Sequence, residues 1–123
     1  MLKPGGRLVL VDVWDKSEVG RFLNGFVDTW SSQGHCGDCL SEGDLQALES
    51  VGFSQLQLHQ LRYAWNASSE VSLHRYMRDL FGLDKGPSSD VMRDAWRLLG
   101  WVAEQAACRV PWGLAAIVAR KPR

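Results

Sequence analysis

The hydrophobic positions at the start of the chain form a nearly continuous run. Leu and Val residues dominate the stretch from Arg7 to Trp14, which directly follows Pro4, Gly5 and Gly6. Pro4 fixes its own φ, and the glycine pair can adopt the positive φ of a tight turn. A short apolar run after such a turn is typical of a strand covered on both faces, as in a parallel α/β sheet. We therefore predict a tight turn followed by a buried strand.

Apolar residues at spacings of three and four predict four amphipathic helices. The apolar positions of the first two are Val19, Phe22, Leu23, Phe26, Val27 and Trp30, then Leu45, Leu48 and Val51. Those of the last two are Leu73, Tyr76, Met77, Leu80 and Phe81, then Met92, Ala95, Trp96, Leu99, Val102, Ala103 and Ala106. The fourth helix is expected to run from about Ser89 to Cys108.

Polar residues and a glycine indicate where some of these helices begin and end. Ser41 and Asp44 have the spacing of a capping box, with Asp in place of Glu. Gly52 is suited to a left-handed cap at the end of the second helix. Ser68 or Ser69 is the expected N-cap of the third helix.

Two further strands complete the predicted order of elements. Leucines alternate imperfectly with polar residues in Ser54–Leu61, which predicts a strand with one poorly covered face. The apolar stretch from Trp112 to Arg120 predicts the last strand, and Pro111 stops any helix before it. The order is strand, helix, helix, strand, helix, helix, strand. A right-handed crossover makes the first two strands parallel.

The sequence LKPGGRLVLVD, from Leu2 to Asp12, closely resembles the approach to the fifth strand of class I S-adenosylmethionine-dependent methyltransferases. The rest of the chain fits the later elements of that domain, including Val51-Gly52-Phe53 at a helix end and a closing apolar strand at Gly113 to Ala119. The resemblance treats residues 1–123 as one domain and matches them to the C-terminal half of the family's domain. It implies a partial Rossmann-like α/β fold with a small mixed three-stranded sheet and about four helices. The strands lie in the order first-third-second, with the last strand antiparallel between the other two.

The resemblance also implies that parts needed for catalysis are missing. In this family the cofactor is held mainly by a glycine-rich loop after the first strand and by an acidic residue ending the second, and neither has a counterpart in this sequence. The spacing G-x-G-x-x-G is absent from every predicted strand-to-helix turn. We therefore expect no cofactor on this chain alone, and S-adenosylmethionine only if a partner half completes the domain.

Two functions from different classes are consistent with these observations. The first is the substrate-side half of a small-molecule methyltransferase, similar to those of quinone and biotin biosynthesis and inactive alone. The second is a non-catalytic module for small-molecule binding or oligomerisation.

The composition argues against nucleic-acid-binding, membrane-spanning and secreted proteins. Lys and Arg number 14, as do Asp and Glu, whereas nucleic-acid binding usually needs a basic excess. No stretch approaches the roughly 18 apolar residues of a membrane span, and the N-terminus lacks the apolar segment of a signal peptide. An odd number of cysteines does not suit a secreted disulfide framework. We expect a cytoplasmic protein without nucleic-acid or membrane partners.

Four aromatic residues are the candidate substrate pocket. Ligands of open α/β sheets bind beyond the carboxyl ends of the parallel strands. Those ends carry Trp14 and Tyr63-Ala64-Trp65, and an antiparallel last strand begins beside them with Trp112. Large aromatic residues with a polar atom suit a flat, partly apolar molecule. The alternative is that Trp14, Tyr63, Trp65 and Trp112 only pack in the core and at its rim.

Cys36 and Cys39 are weak metal candidates. Their spacing suits two zinc ligands and His35 is adjacent, but a closed site needs four ligands and no second pair is present. The two cysteines are also unlike a redox pair, because they do not lie between a predicted strand and the start of a helix. A solvated loop is the preferred alternative. Three acids are conceivable bases, although we assign no catalytic residue: Asp12, Asp15 and Asp44.

The leading strand is an edge of the predicted sheet. A long apolar edge strand invites aggregation unless something covers it. We expect it to be covered by the same strand of a second copy, by a missing N-terminal half, or by a rearranged helix.

Overall fold

The computed structural model describes residues 1–35, 37–86, 88–100, 102–104 and 107–123. The strands in these residues are β1 (Arg7–Asp12), β2 (Ser54–Ala67), β3 (Val102–Glu104) and β4 (Ala107–Arg120). The helices are α1 (Glu18–Arg21), a π-helical segment (Phe22–Val27), α2 (Asp28–Trp30), α3 (Glu42–Ser50), α4 (Glu70–Phe81) and α5 (Ser88–Leu99). None of these described helices has the length and hydropathy to cross a bilayer.

The sheet has β4 at its centre. Its order is β1-β4-β2, and β3 pairs with the first residues of β4, on the far side from β2. Both β1 and β2 are antiparallel to β4, so they run parallel to each other. This confirms the predicted α/β class, the strand order and the antiparallel last strand between the other two. The short strand β3 was not predicted.

The main core lies between the helices and one face of the sheet. We call this the front face and define it by Trp112 on β4, which shares it with Val110 and Cys108 because side chains alternate along a strand. The helical residues buried in this core are Val19, Phe22, Phe26, Val27, Leu73, Met77, Val91, Met92, Ala95 and Leu99. The predicted apolar periodicities therefore identify most of the core.

The first predicted helix is continuous from Glu18 to Trp30 but is not uniform. Ser17 caps it by accepting a hydrogen bond from the Gly20 amide at 3.0 Å. Its middle, Phe22–Val27, is π-helical. Sequence periodicity did not predict this segment, because a π turn inserts within an otherwise α-helical pattern.

The predicted caps of α3 and α4 are confirmed. The Ser41 amide donates to the Asp44 carboxylate at 2.8 Å within a capping box, and Gly52 has a φ of +94°. Ser69, rather than Ser68, caps α4 by accepting from the Ser72 amide.

The buried faces predicted for α3 and α4 are only partly correct. Val51 is 66% exposed, and none of the residues of α3 is buried. In α4, Leu73 and Met77 are buried, whereas Tyr76 and Leu80 are more than half exposed. The apolar face predicted for α4 therefore includes more residues than the helix buries in the core.

The fourth helix is shorter than predicted. It ends at Leu99, followed by Gly100 with a φ of +74°, a conformation that suits glycine and stops a helix. Val102 and Ala103, predicted on its apolar face, lie in β3, and Cys108 lies in β4. Ala106 lies outside the described residues.

Both long strands extend beyond their predicted bounds. β2 continues from Leu61 to Ala67, so Tyr63 and Trp65 lie within the strand and not after its end. β4 begins at Ala107 and includes Pro111, which pairs with Ala64 of β2. Strand pairing therefore overrides the local break that Pro111 predicts.

Pro111 is tolerated because one side of β4 is unpaired at this position. On the side away from β2, the partners of β4 in the described residues are β3, up to Arg109, and β1, from Ala115. Proline lacks an amide hydrogen and is accepted in sheets where no neighbouring strand needs that donor.

The prediction that β1 is covered on both faces is wrong. Val9 and Val11 are 51% and 50% exposed, and Leu8 and Leu10 are only half-buried. The helices pack on the front face over Cys108 to Trp112 of β4, beyond the pairing between β1 and β4.

Candidate functional site

The four predicted pocket residues come from three segments of the chain. Trp14 lies just after β1, Tyr63 and Trp65 lie on β2, and Trp112 lies on β4. Tyr63 is directly opposite Trp112 in the ladder, and Trp65 is opposite Val110. Directly opposed side chains share a face of the sheet, so Tyr63, Trp65 and Trp112 are all on the front face.

A cavity of about 630 Å³ lies on this face. Trp14, Tyr63 and Trp112 line it, together with Leu114 of β4 and Leu99 of α5. It is at the carboxyl end of β1, as predicted, but beside the middle of β2 because that strand is longer than predicted. The structure thus brings three of the four aromatic residues to one cavity.

Trp65 does not line this cavity. Its ring stacks on Trp112 with centroids 4.2 Å apart and contacts the rings of Phe81 and Tyr76 at 6.3 and 5.7 Å. Phe22 meets Trp112 edge-on at 6.0 Å. The packing alternative therefore describes Trp65, which supports the indole of Trp112 from within an aromatic cluster.

The turn between β1 and α1 forms one wall of the cavity. The Ser17 hydroxyl donates to the Trp14 carbonyl at 2.6 Å while it also caps α1. Gly20 packs so closely that a Cβ there would lie within 2.5 Å of the Asp15 carbonyl oxygen. A side chain at Gly20 would therefore displace α1 from the turn, and Trp14 lines the cavity from this turn.

Charged residues at the start of the first helix also line the cavity. Lys16, Glu18 and Arg21 lie along the same wall, and all three are exposed. No ion pair joins them to another described residue. Sequence reasoning missed these three, although the Ser17 cap directly after an apolar strand could have drawn attention to this turn.

The three candidate bases have different surroundings. Asp44 forms the α3 capping box, and Asp12 accepts a hydrogen bond from the Val13 amide at 2.7 Å. Asp15 is half-buried rather than solvated, and its Oδ1 is buried with no hydrogen-bond partner in the described part of the chain. Asp15 does not line the cavity, so the structure provides no reason to make it a base.

The cysteine loop offers little for metal or thiol chemistry. The Asn24 side-chain amide donates weakly to the Cys39 sulfur at 3.7 Å. The Oδ1 atom of Asn24 lies 3.2 Å from His35 Nδ1. Burial, followed by the nearby carboxylates, raises the pKa of the Cys39 thiol, which disfavours the reactive thiolate. Cys36 lies outside the described residues, and the described ones contain no metal-ligating cluster of three or more His, Cys, Asp or Glu.

A second cavity, also of about 630 Å³, lies along α4. His74, Arg75 and Arg78 line it together with two acids. His74 Nε2 accepts a hydrogen bond from the Trp96 indole at 3.0 Å, and burial lowers the pKa of this histidine. The mixed charges indicate no specific ligand.

No protein-family model matches the chain, and no curated protein does either. Among solved structures, the chain is similar to the crystal structure of a "putative methyltransferase" from Bacillus halodurans C-125, with a TM-score of 0.58 and 18% identity. The match covers 99% of this chain and 58% of the other, so this chain spans little more than half the length of that protein. The protein therefore has a methyltransferase-like fold.

Proposed function

We propose that this chain is the substrate-side half of a small-molecule, S-adenosylmethionine-dependent methyltransferase and is inactive by itself. The observation that carries the proposal is the front-face cavity at the carboxyl end of β1, lined by Trp14, Tyr63 and Trp112. Its place in a methyltransferase-like fold favours a substrate role over simple packing.

The cavity's chemistry supports a flat, partly apolar ligand. The aromatic and aliphatic side chains provide an apolar surface, and Tyr63 and the charged residues of α1 provide polar groups. Such a combination is typical of small-molecule sites, in which a few polar groups orient a mainly apolar body.

The chain's contribution to catalysis would be to position the substrate. Methyl transfer from a sulfonium carbon requires alignment of the attacking atom, and alignment alone can lower the barrier considerably. The lack of an assigned general base therefore does not contradict the proposal. The residues resembling the family do not include its cofactor loop, so S-adenosylmethionine would be held by a cofactor-binding half elsewhere in the protein or in a partner.

The cofactor part of the proposal is tested by titration calorimetry of the purified chain with S-adenosylmethionine and with S-adenosylhomocysteine. We expect no binding by this chain alone. Micromolar binding, about −8 kcal/mol, would instead mean that the chain builds its own cofactor site. If the chain alone does not bind, adding a cofactor-binding half should produce cofactor binding.

The substrate part is tested with a flat aromatic probe, menadione, followed by quenching of tryptophan fluorescence. Tyr63→Ala should weaken binding at least several-fold, because Tyr63 lines the cavity. Leu58→Ala is the matched control, because Leu58 lies on the same strand and is similarly exposed, at 42% against 44%, but does not line this cavity. Equal effects of the two substitutions would contradict the substrate pocket.

A non-catalytic module is the second candidate, and the open edge of β1 favours it. A domain that keeps an apolar edge strand exposed is suited to assembly with another chain. We further propose that this edge is where a second copy or a cofactor-binding half attaches and that the protein is cytoplasmic. Ligand binding that is unaffected by a cofactor-binding half would favour this candidate.

A further inference from the structure

The outer edge of β1 has main-chain groups available for pairing. The Lys121 amide donates to the Gly6 carbonyl at 2.8 Å, and in an antiparallel ladder such bonds recur at every second residue. Leu8, Leu10 and Asp12 therefore direct their main-chain groups toward β4. The intervening residues Arg7, Val9 and Val11 direct theirs outward.

The same alternation is visible just beyond β1. The Val13 carbonyl accepts from the Leu40 amide at 2.8 Å, and the Asp15 amide donates to the Leu40 carbonyl at 2.9 Å. Both belong to the outward-directed set, which confirms the alternation. Leu40 covers only this far end, by a parallel bridge with Trp14. In the described part of the chain, no strand pairs with the outer edge from Arg7 to Val11.

The available edge is symmetric about Val9. If a second β1 approaches antiparallel about a two-fold axis at Val9, then Val9 faces Val9, and Arg7 faces Val11 at both ends. This register matches outward-directed residues with each other and keeps every side chain on its own face of the sheet. It would form about six main-chain hydrogen bonds, two for each pair of residues. It would also cover Val9 and Val11, which are about half exposed.

The two ends of β1 carry opposite charge. Basic residues cluster where the strand begins and meets the end of β4, namely Lys3, Arg7, Arg120, Lys121 and Arg123. Acidic residues predominate near the other end, where Asp12, Asp15 and Asp38 all act electrostatically on Cys39 and outnumber Lys16 of the following turn. An antiparallel second copy places the basic end of each β1 beside the acidic end of the other. A parallel arrangement of two copies would place like charges together.

We propose that β1 pairs with β1 of a second copy, antiparallel and centred on Val9, to form a continuous sheet across a two-fold dimer. The dimer depends only on the edge and its charges, so it is independent of the proposed methyltransferase function. A cofactor-binding half that docks on the same edge would compete with the second copy.

Sedimentation velocity on the purified chain tests the proposal first. We expect a species of twice 13.8 kDa at micromolar concentration. Val9→Lys should raise the dimer Kd by roughly 100-fold, because two lysines would face each other at the axis. Val51→Lys is the matched control, because Val51 is an exposed valine outside the strand, and it should leave the dimer unchanged. A monomer at about 100 μM, roughly a hundredfold above the expected Kd, or equal effects of the two variants, would overturn the proposal.

Hydrogen exchange provides a further readout. In the dimer, the amides of Val9 and Val11 should be as protected as those of Leu8 and Leu10. If Val9 and Val11 exchange rapidly while a dimer persists, another surface forms it and the proposal is wrong.

Discussion

Replacing Gly20 with alanine should destabilise the protein, contrary to the usual effect of this change in a helix. Glycine to alanine inside a helix normally stabilises by about 0.5–1 kcal/mol, because alanine loses less backbone entropy on folding. Gly20 lies in α1, and its φ is not positive, so backbone strain does not oppose the change. The outcome is therefore decided by what the new methyl group contacts.

The new Cβ would lie within 2.5 Å of the Asp15 carbonyl oxygen and closer still to that of Trp14. Both contacts are to backbone, so no side chain can rotate away to relieve them. Overpacking of this kind typically costs about 1–3 kcal/mol, which exceeds the helix gain. We expect a net loss of about 1–2 kcal/mol, or a fall in Tm of roughly 4–8 °C for a chain of this size.

Gly25→Ala in the same continuous helix is the matched control. Apart from its chain neighbours and the backbone of its own helix, a Cβ at Gly25 would have no atom within 4 Å, so this variant should be as stable as the wild type or slightly more stable. Urea denaturation monitored by circular dichroism measures both. A Gly20→Ala protein at least as stable as Gly25→Ala would refute the reasoning. Gly20→Ala should also weaken menadione binding, because α1 and the Trp14 turn line the cavity.

Two further predictions concern packing and pH. Trp65→Ala should lower stability by about 2–4 kcal/mol in urea denaturation, because it removes the ring that stacks on Trp112 at 4.2 Å; a loss below about 1 kcal/mol would contradict this packing role. The folded-state pKa of His74 is lowered, mainly by burial, so its contribution is present above the unfolded value of 6.5 and is lost as pH falls through the folded pKa. Unfolding free energies between pH 8 and 5 should therefore fall more steeply for the wild type than for His74→Gln, and parallel curves would exclude this contribution.

The candidate site was predictable only in part. Trp14, Tyr63 and Trp112, three of the four residues of the predicted aromatic pocket, line one cavity, and their role in binding a substrate stays a prediction. Trp65 was included because β2 was expected to end at Leu61, whereas it continues to Ala67. Trp65 therefore packs among other aromatic rings and does not line the cavity.

Local features of the chain were determined by the sequence itself. The Ser41 capping box, the Gly52 cap and the helical periodicities depend on residues within about one turn of each other, so they can be read without knowing the fold. The sheet order was also correct, although the position of the last strand came from family resemblance rather than from spacing.

The extent and exposure of the strands were decided only by tertiary structure. Pro111 lies within β4 because neighbouring strands leave one side of it unpaired, which no local pattern reveals. β1 has the composition of a buried strand, yet Val9 and Val11 are half exposed because the helices pack farther along β4. Burial depends on which elements from distant parts of the chain reach a surface, and the hydrophobicity of a segment alone does not specify them.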